Sequence, residues 1–140
     1  MSYLVATDGS TESDEAVRYA AQQAVAFYET LEIAHVLTPD SELVDGTIVL
    51  PGEEAAVEAG QGVLESARSI AEEAADEPIT VETQLLTGRP ADAITEYAAE
   101  EPVDAIYVGH RGLSEEREQV VGSVAKSIVD KADVPVTVIR

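Results

Sequence analysis

Apolar residues along the chain follow two alternating rhythms. Short β-rich runs occur at Tyr3-Leu4-Val5-Ala6-Thr7 and at 31–37, 79–87, 103–108 and 136–139. Between them, Ala16, Val17, Ala20, Ala21, Ala24, Val25 and Tyr28 recur at three- and four-residue spacing, which predicts one helix face ending near Thr30. Thr11 or Ser13 is its expected cap, with Glu12, Asp14 and Glu15 beside the positive end of the helix dipole. The stretch 53–75 is rich in Ala and Glu and reads as a second helix, with Gly60 and Gly62 able to bend it. With two Pro, two Gly and scattered acids, 38–52 reads as a long loop.

A punctuation device then repeats. Pro78, Pro102 and Pro135 each follow a short polar or acidic stretch at a helix end and precede a β-branched run. Proline cannot continue a helix, so each marks a switch from helix to strand. The resulting order, β-α-β-α-β-α-β-α-β, predicts an α/β fold with a parallel sheet covered on both faces.

Composition adds limits. A length of 140 residues suits one domain over 1–140. Hydrophobic residues at 45% argue against an acidic disordered chain. No apolar run has the length of a membrane span, and the start lacks the basic and apolar stretches of a signal peptide. The net charge of -20 disfavours nucleic acid and anionic lipid as partners. Without Cys there is no disulfide, thiolate nucleophile or Cys-based zinc site, and the two His have no metal-ligand spacing. Acids are spread along the whole chain, and Lys occurs only at Lys126 and Lys131. That pattern suits a high-salt cytoplasm, where the screening length falls to about 3 Å at molar salt. An ordinary acidic protein is the alternative.

The chemistry concentrates after the fourth predicted strand. Gly109-His110-Arg111-Gly112 follows it directly, and Gly122-Ser123 opens the next helix. Glycines let backbone N–H groups approach an anion, and a helix N-terminus presents unpaired donors. Ser123 adds a hydroxyl and Arg111 a cation. The pattern reads equally as a phosphate cradle or as a loop with a helix cap. No P-loop and no dinucleotide fingerprint occurs. Asp8, at the end of the first strand, is a candidate ligand for ribose or Mg²⁺, or the acceptor of a turn. His35 reads as a packed strand residue, and His110 as a phosphate donor or a solvent-exposed ring.

The spacing Gly-x2-Gly-x9-Gly-Ser at Gly109, Gly112, Gly122 and Ser123 resembles the ATP-binding signature of the universal stress protein family. The segments Leu4-Val5-Ala6-Thr7-Asp8-Gly9-Ser10, Ala34-His35-Val36, Gly88-Arg89-Pro90 and 134–140 are similar to that family's pattern, in the same order. The resemblance implies a five-stranded sheet of order 3-2-1-4-5 and, in one branch, bound ATP, with or without Mg²⁺, or another adenine nucleotide. Carried over by position, Ala6, Thr7 and Asp8 would meet adenine or ribose, and the backbone of Val36 would face adenine. Val108, Gly109 and Gly112 would flank ribose and phosphates, and Gly122, Ser123 and Val124 would hold the phosphates. Within the nine-residue insert, Glu115, Glu116 and Glu118 stand where the family is usually neutral or basic, and they would oppose a triphosphate.

Three functions follow as expectations. The first is a cytoplasmic stress-response regulator that binds an adenine nucleotide and dimerises through the apolar edge strand at 135–140. The second is an interaction module of the same fold without a nucleotide. The third is a slow ATP hydrolase, for which Asp8, Arg111 and Arg117 are the candidate groups.

Overall fold

The computed structural model describes residues 1–38, 42–44, 47–49, 54–110 and 122–140. Arg111, Gly112, Glu115, Glu116, Arg117 and Glu118 lie outside the described residues. The elements run β1 (Ser2–Ala6), α1 (Thr11–Phe27), β2 (Thr30–Leu37), β3 (Glu42–Val44), β4 (Thr47–Val49), α2 (Glu54–Ala74), β5 (Val81–Thr87), α3 (Pro90–Glu100), β6 (Val103–Gly109), α4 (Ser123–Lys131) and β7 (Val136–Ile139).

Five parallel strands form one sheet in the order β5-β2-β1-β6-β7, which is the expected 3-2-1-4-5 order. Side chains alternate across it, so neighbours along a strand enter different cores. Val5, Ile33 and Tyr107 pack with the buried stripe of α1 and with Leu64, Ala67 and Ala71 of α2. Leu4, Ala34 and Ile106 pack on the other side with Ile94 of α3 and Ala125 and Ile128 of α4. Two covered faces explain why the central strands β1 and β6 read as largely apolar runs rather than as alternating ones.

The structure departs from the sequence reading in two places. The stretch 38–52 holds an antiparallel pair, β3 with β4, outside the main sheet. Its signal is Asp45-Gly46, two hairpin-type residues between two short apolar runs. Helix α1 is capped by Ser10, whose side chain accepts from the Ser13 amide, and it ends at Tyr28 in the left-handed conformation. The helix therefore stops before Thr30, which already belongs to β2.

Two glycines permit close approach between layers. A Cβ at Gly60 of α2 would lie 2.8 Å from Leu85 Cδ1, the movable end of a side chain. A Cβ at Gly109 would lie 2.8 Å from the Glu12 carbonyl oxygen and 3.1 Å from the Ser13 nitrogen, both backbone. The first turn of α1 thus rests directly on the end of β6. At the opposite end of the sheet the buried Glu32 carboxylate accepts hydrogen bonds from Ser2 Oγ and the Tyr97 hydroxyl.

Gly109→Ala should destabilise by about 1–3 kcal/mol, because backbone cannot swing aside. Gly60→Ala should cost much less, since a helix-propensity gain of about 1 kcal/mol offsets a side-chain shift. Denaturant midpoints in high salt compare the two, and equal losses would contradict this packing. Burial, then the Tyr3 and Tyr19 phenols, push the Tyr107 hydroxyl up to about 12 from 10.0. Burial and the Glu32 hydrogen bond also raise Tyr97. A raised folded-state value favours the protonated form, so the associated stability is present below pH 10 and lost as pH climbs towards 12. The unfolding midpoint should fall across that window, and the fall should be shallower in Tyr107→Phe.

Candidate functional site

The order of strands reverses between β1 and β6, and a cleft opens at their C-terminal ends, where open α/β sheets bind ligands. It encloses about 170 Å³. Its residues come from β1 (Ala6, with Thr7 and Asp8 beyond it), β2 (Ala34, His35, Val36), α3 (Pro90, Ile94), β6 (Val108, Gly109) and α4 (Val124, Ala125), with Ser13, His110 and Gly122 completing it.

The β1–α1 turn is built from short polar side chains. Asp8 Oδ1 accepts from the Ser10 amide at 2.9 Å and lies 3.0 Å from Ser13 Oγ. Ser13 Oγ also lies 3.1 Å from Thr7 Oγ1 and 3.0 Å from the Ser10 carbonyl. Gly9 has φ +84°, the left-handed region that favours glycine. Of the two readings of Asp8, the structure places its Oδ1 in the turn. Ser13, read from sequence as a cap candidate, is the hub of this turn. The available signal was its position, three and four residues before Ala16 and Val17 on the buried stripe of α1.

On the far side, β2 contributes His35. Its Nδ1 lies 2.8 Å from the Thr7 carbonyl, so Nδ1–H donates and the ring ties β2 to the end of β1. The expected structural role of His35 is met, and the ring also lines the cleft. Gly88, with φ +123°, turns the chain out of β5, and its amide donates to the Leu37 carbonyl at 3.0 Å. Arg89 and Pro90 then start α3, with Pro at the first helical positions, where its missing N–H costs nothing.

His110 is buried, at 7 % exposure, rather than solvent-exposed. Its amide donates to the Ile139 carbonyl at 2.8 Å, and its carbonyl accepts from the Gly122 amide. Gly122 is the N-cap of α4 and supplies no side-chain hydrogen bond to that helix. The start of α4 is thereby fixed beside the end of β6, with Val124 and Ala125 facing the cleft and Ser123 exposed.

The cleft is polarised. Ala6, Ala34, Val36, Ile94 and Val108 are continuous with the α3–α4 core and make one apolar end. Asp8, Ser13, His110, Gly122 and the first turn of α4 make a polar end. An apolar wall with a few convergent polar groups suits a flat heterocycle joined to an anionic group. Of the sequence-predicted residues, the structure gathers Ala6, Thr7, Asp8, Val36, Val108, Gly109, Gly122 and Val124 here. The sequence reading omitted Ile94 and Ala125 and gave Pro90 no site role, since they mark ordinary helix positions until the fold brings two helix starts together. Among the described residues no cluster of three His, Asp or Glu forms a metal site, and no helix is long and apolar enough to cross a membrane.

The same architecture occurs in known proteins. The model of the universal stress protein family matches residues 2–140. Universal stress protein YxiE of Bacillus subtilis is 31% identical over 146 residues, covering 98% of this chain and 97% of the relative. A universal stress protein of Thermus aquaticus is 33% identical over 141 residues, covering 98% and 96%. Among solved structures, the universal stress protein of Archaeoglobus fulgidus in complex with dAMP superposes with a TM-score of 0.77 at 26% identity, covering 100% of this chain and 98% of that one. A universal stress protein in complex with cAMP gives a TM-score of 0.74 at 28% identity, covering 100% and 96%. Fold and sequence agree over nearly the whole length, and the chain belongs to the universal stress protein family.

Proposed function

We propose that this chain is a regulatory member of its family that binds ATP or a related adenine nucleotide and works in the stress response as a dimer. The observation that carries the reading is the make-up of the cleft, in which an apolar wall meets the N-terminus of α4. Two structural relatives, at 28% and 26% identity, hold cAMP and dAMP, which supports an adenine nucleotide here. In this reading Ala6 and Val36 contact the base side, Thr7 and Asp8 shape the ribose side, Val108 and Gly109 flank ribose and phosphates, and Gly122, Ser123 and Val124 receive phosphate. Arg111 and Gly112 complete the phosphate side by their place in the motif. Mg²⁺ would supply charge neutralisation for a triphosphate.

A net charge of -20 opposes an anionic ligand at low salt. At molar salt the screening length is about 3 Å and the opposition largely disappears. Binding should therefore be tighter in concentrated potassium chloride than in dilute buffer, the reverse of ordinary electrostatic anion capture. Titration with ATP and Mg²⁺ by calorimetry in both salts measures this, and Gly122→Val should abolish it. If the wild-type chain takes up no adenine nucleotide at millimolar concentration, the reading fails in favour of an interaction module of the same fold.

Strand β7 lies at the sheet edge, and Val136, Val138 and Ile139 are only half-buried. An apolar edge favours pairing with a second copy. Sedimentation in molar salt should give a species of twice 14.8 kDa, and a monomer alone would refute the dimer.

A further inference from the structure

His110 is the one buried side chain of the described cleft whose hydrogen bonding is incomplete. The residue is 7 % exposed, and among the described residues no group hydrogen-bonds to Nδ1, which is itself buried. A buried polar atom without a partner is destabilising, and in native structures it marks a site that a ligand or a conformational role completes. The backbone of His110 is pinned on both sides, by the Ile139 carbonyl and by the Gly122 amide. These ties place the backbone of residue 110 at the junction of β6 and α4. It also lines the cleft beside Gly122, whose helix start has no side-chain cap. No Lys or Arg occurs among the described lining residues. A helix N-terminus and one imidazole make a donor set for a single phosphate group.

We infer that His110 is a specificity-determining residue of the nucleotide cleft. Its Nδ1–H donates to an oxygen of the phosphate next to the ribose, so that a nucleotide is selected over the corresponding nucleoside. This rests on the nucleotide-binding reading of the cleft. It gives the ring a role that the glycine motif does not assign. The same geometry gives the free and bound protein opposite preferences at this position. An apolar ring of similar size removes the unpartnered nitrogen from the free protein but cannot serve the phosphate.

The test compares wild type, His110→Phe and His110→Gln by calorimetry with AMP and with adenosine, together with thermal unfolding of each ligand-free protein. Wild type should prefer AMP. His110→Phe should lose about tenfold or more in AMP affinity, the loss expected for one hydrogen bond to a charged group, with adenosine affinity unchanged. His110→Gln, which keeps an N–H donor, should recover part of the loss. Ligand-free His110→Phe should melt a few degrees higher than wild type. If it fails to fold, the glutamine variant and the nitrogen NMR shift of His110 Nδ1 decide the matter, since that shift should move on saturation with AMP and stay still with adenosine. Equal weakening of AMP and adenosine, or an Nδ1 resonance indifferent to AMP, would overturn the assignment while leaving nucleotide binding intact. A wild-type protein that binds neither compound would overturn both.

Discussion

The close seat of the first turn of α1 on the end of β6 is the constraint on which the site depends. Only the missing side chain of Gly109 allows the Glu12 carbonyl and Ser13 amide so near. That contact holds the β1–α1 turn against the β6 terminus, so Asp8 and Ser13 face the same space as His110 and Gly122. Had the helix stood farther off, as a side chain at 109 would require, the two halves of the cleft would separate. The alanines of α1 serve the same end, since Ala16, Ala20, Ala21 and Ala24 let the helix lie low on the sheet.

The sequence carried the fold well because it marks each transition locally. Pro78, Pro102 and Pro135 each stop a helix for reasons visible within a few residues. The stripe from Ala16 to Ala24 needs no knowledge of its neighbours. The N-cap of α1 was less legible, because Ser10, Thr11 and Ser13 are all chemically competent. The choice of Ser10 follows from Asp8 folding its carboxylate back on the Ser10 amide. The hairpin at β3 and β4 was hidden by the polar, proline-containing stretch around it, although Asp45-Gly46 announced it.

The site was legible in part for the same reason. Gly109 and Gly122 are visible as members of a spaced motif, yet the packing duty of Gly109 depends on a helix nearly one hundred positions earlier in the chain. A motif reports that a residue type is required and leaves open whether ligand or neighbouring backbone requires it. Glycine at 109 meets a demand of the scaffold, and at 122 it opens a helix toward the cleft. His110 stood between readings because burial is a tertiary property, which its neighbours in sequence do not reveal.

The bond from the His110 amide to the Ile139 carbonyl has a kinetic consequence. It ties the cleft to the second-last residue of the sequence given, on a strand that among the described residues pairs with β6 alone. Every other wall of the cleft also comes from a different βα unit, so the contacts are non-local and form late. During synthesis the first four sheet strands can assemble before β7 has emerged, but the carbonyl that holds the His110 amide is not yet in place. The cleft is therefore completed only with β7, and a chain cut short there would keep most of its core while lacking that tie.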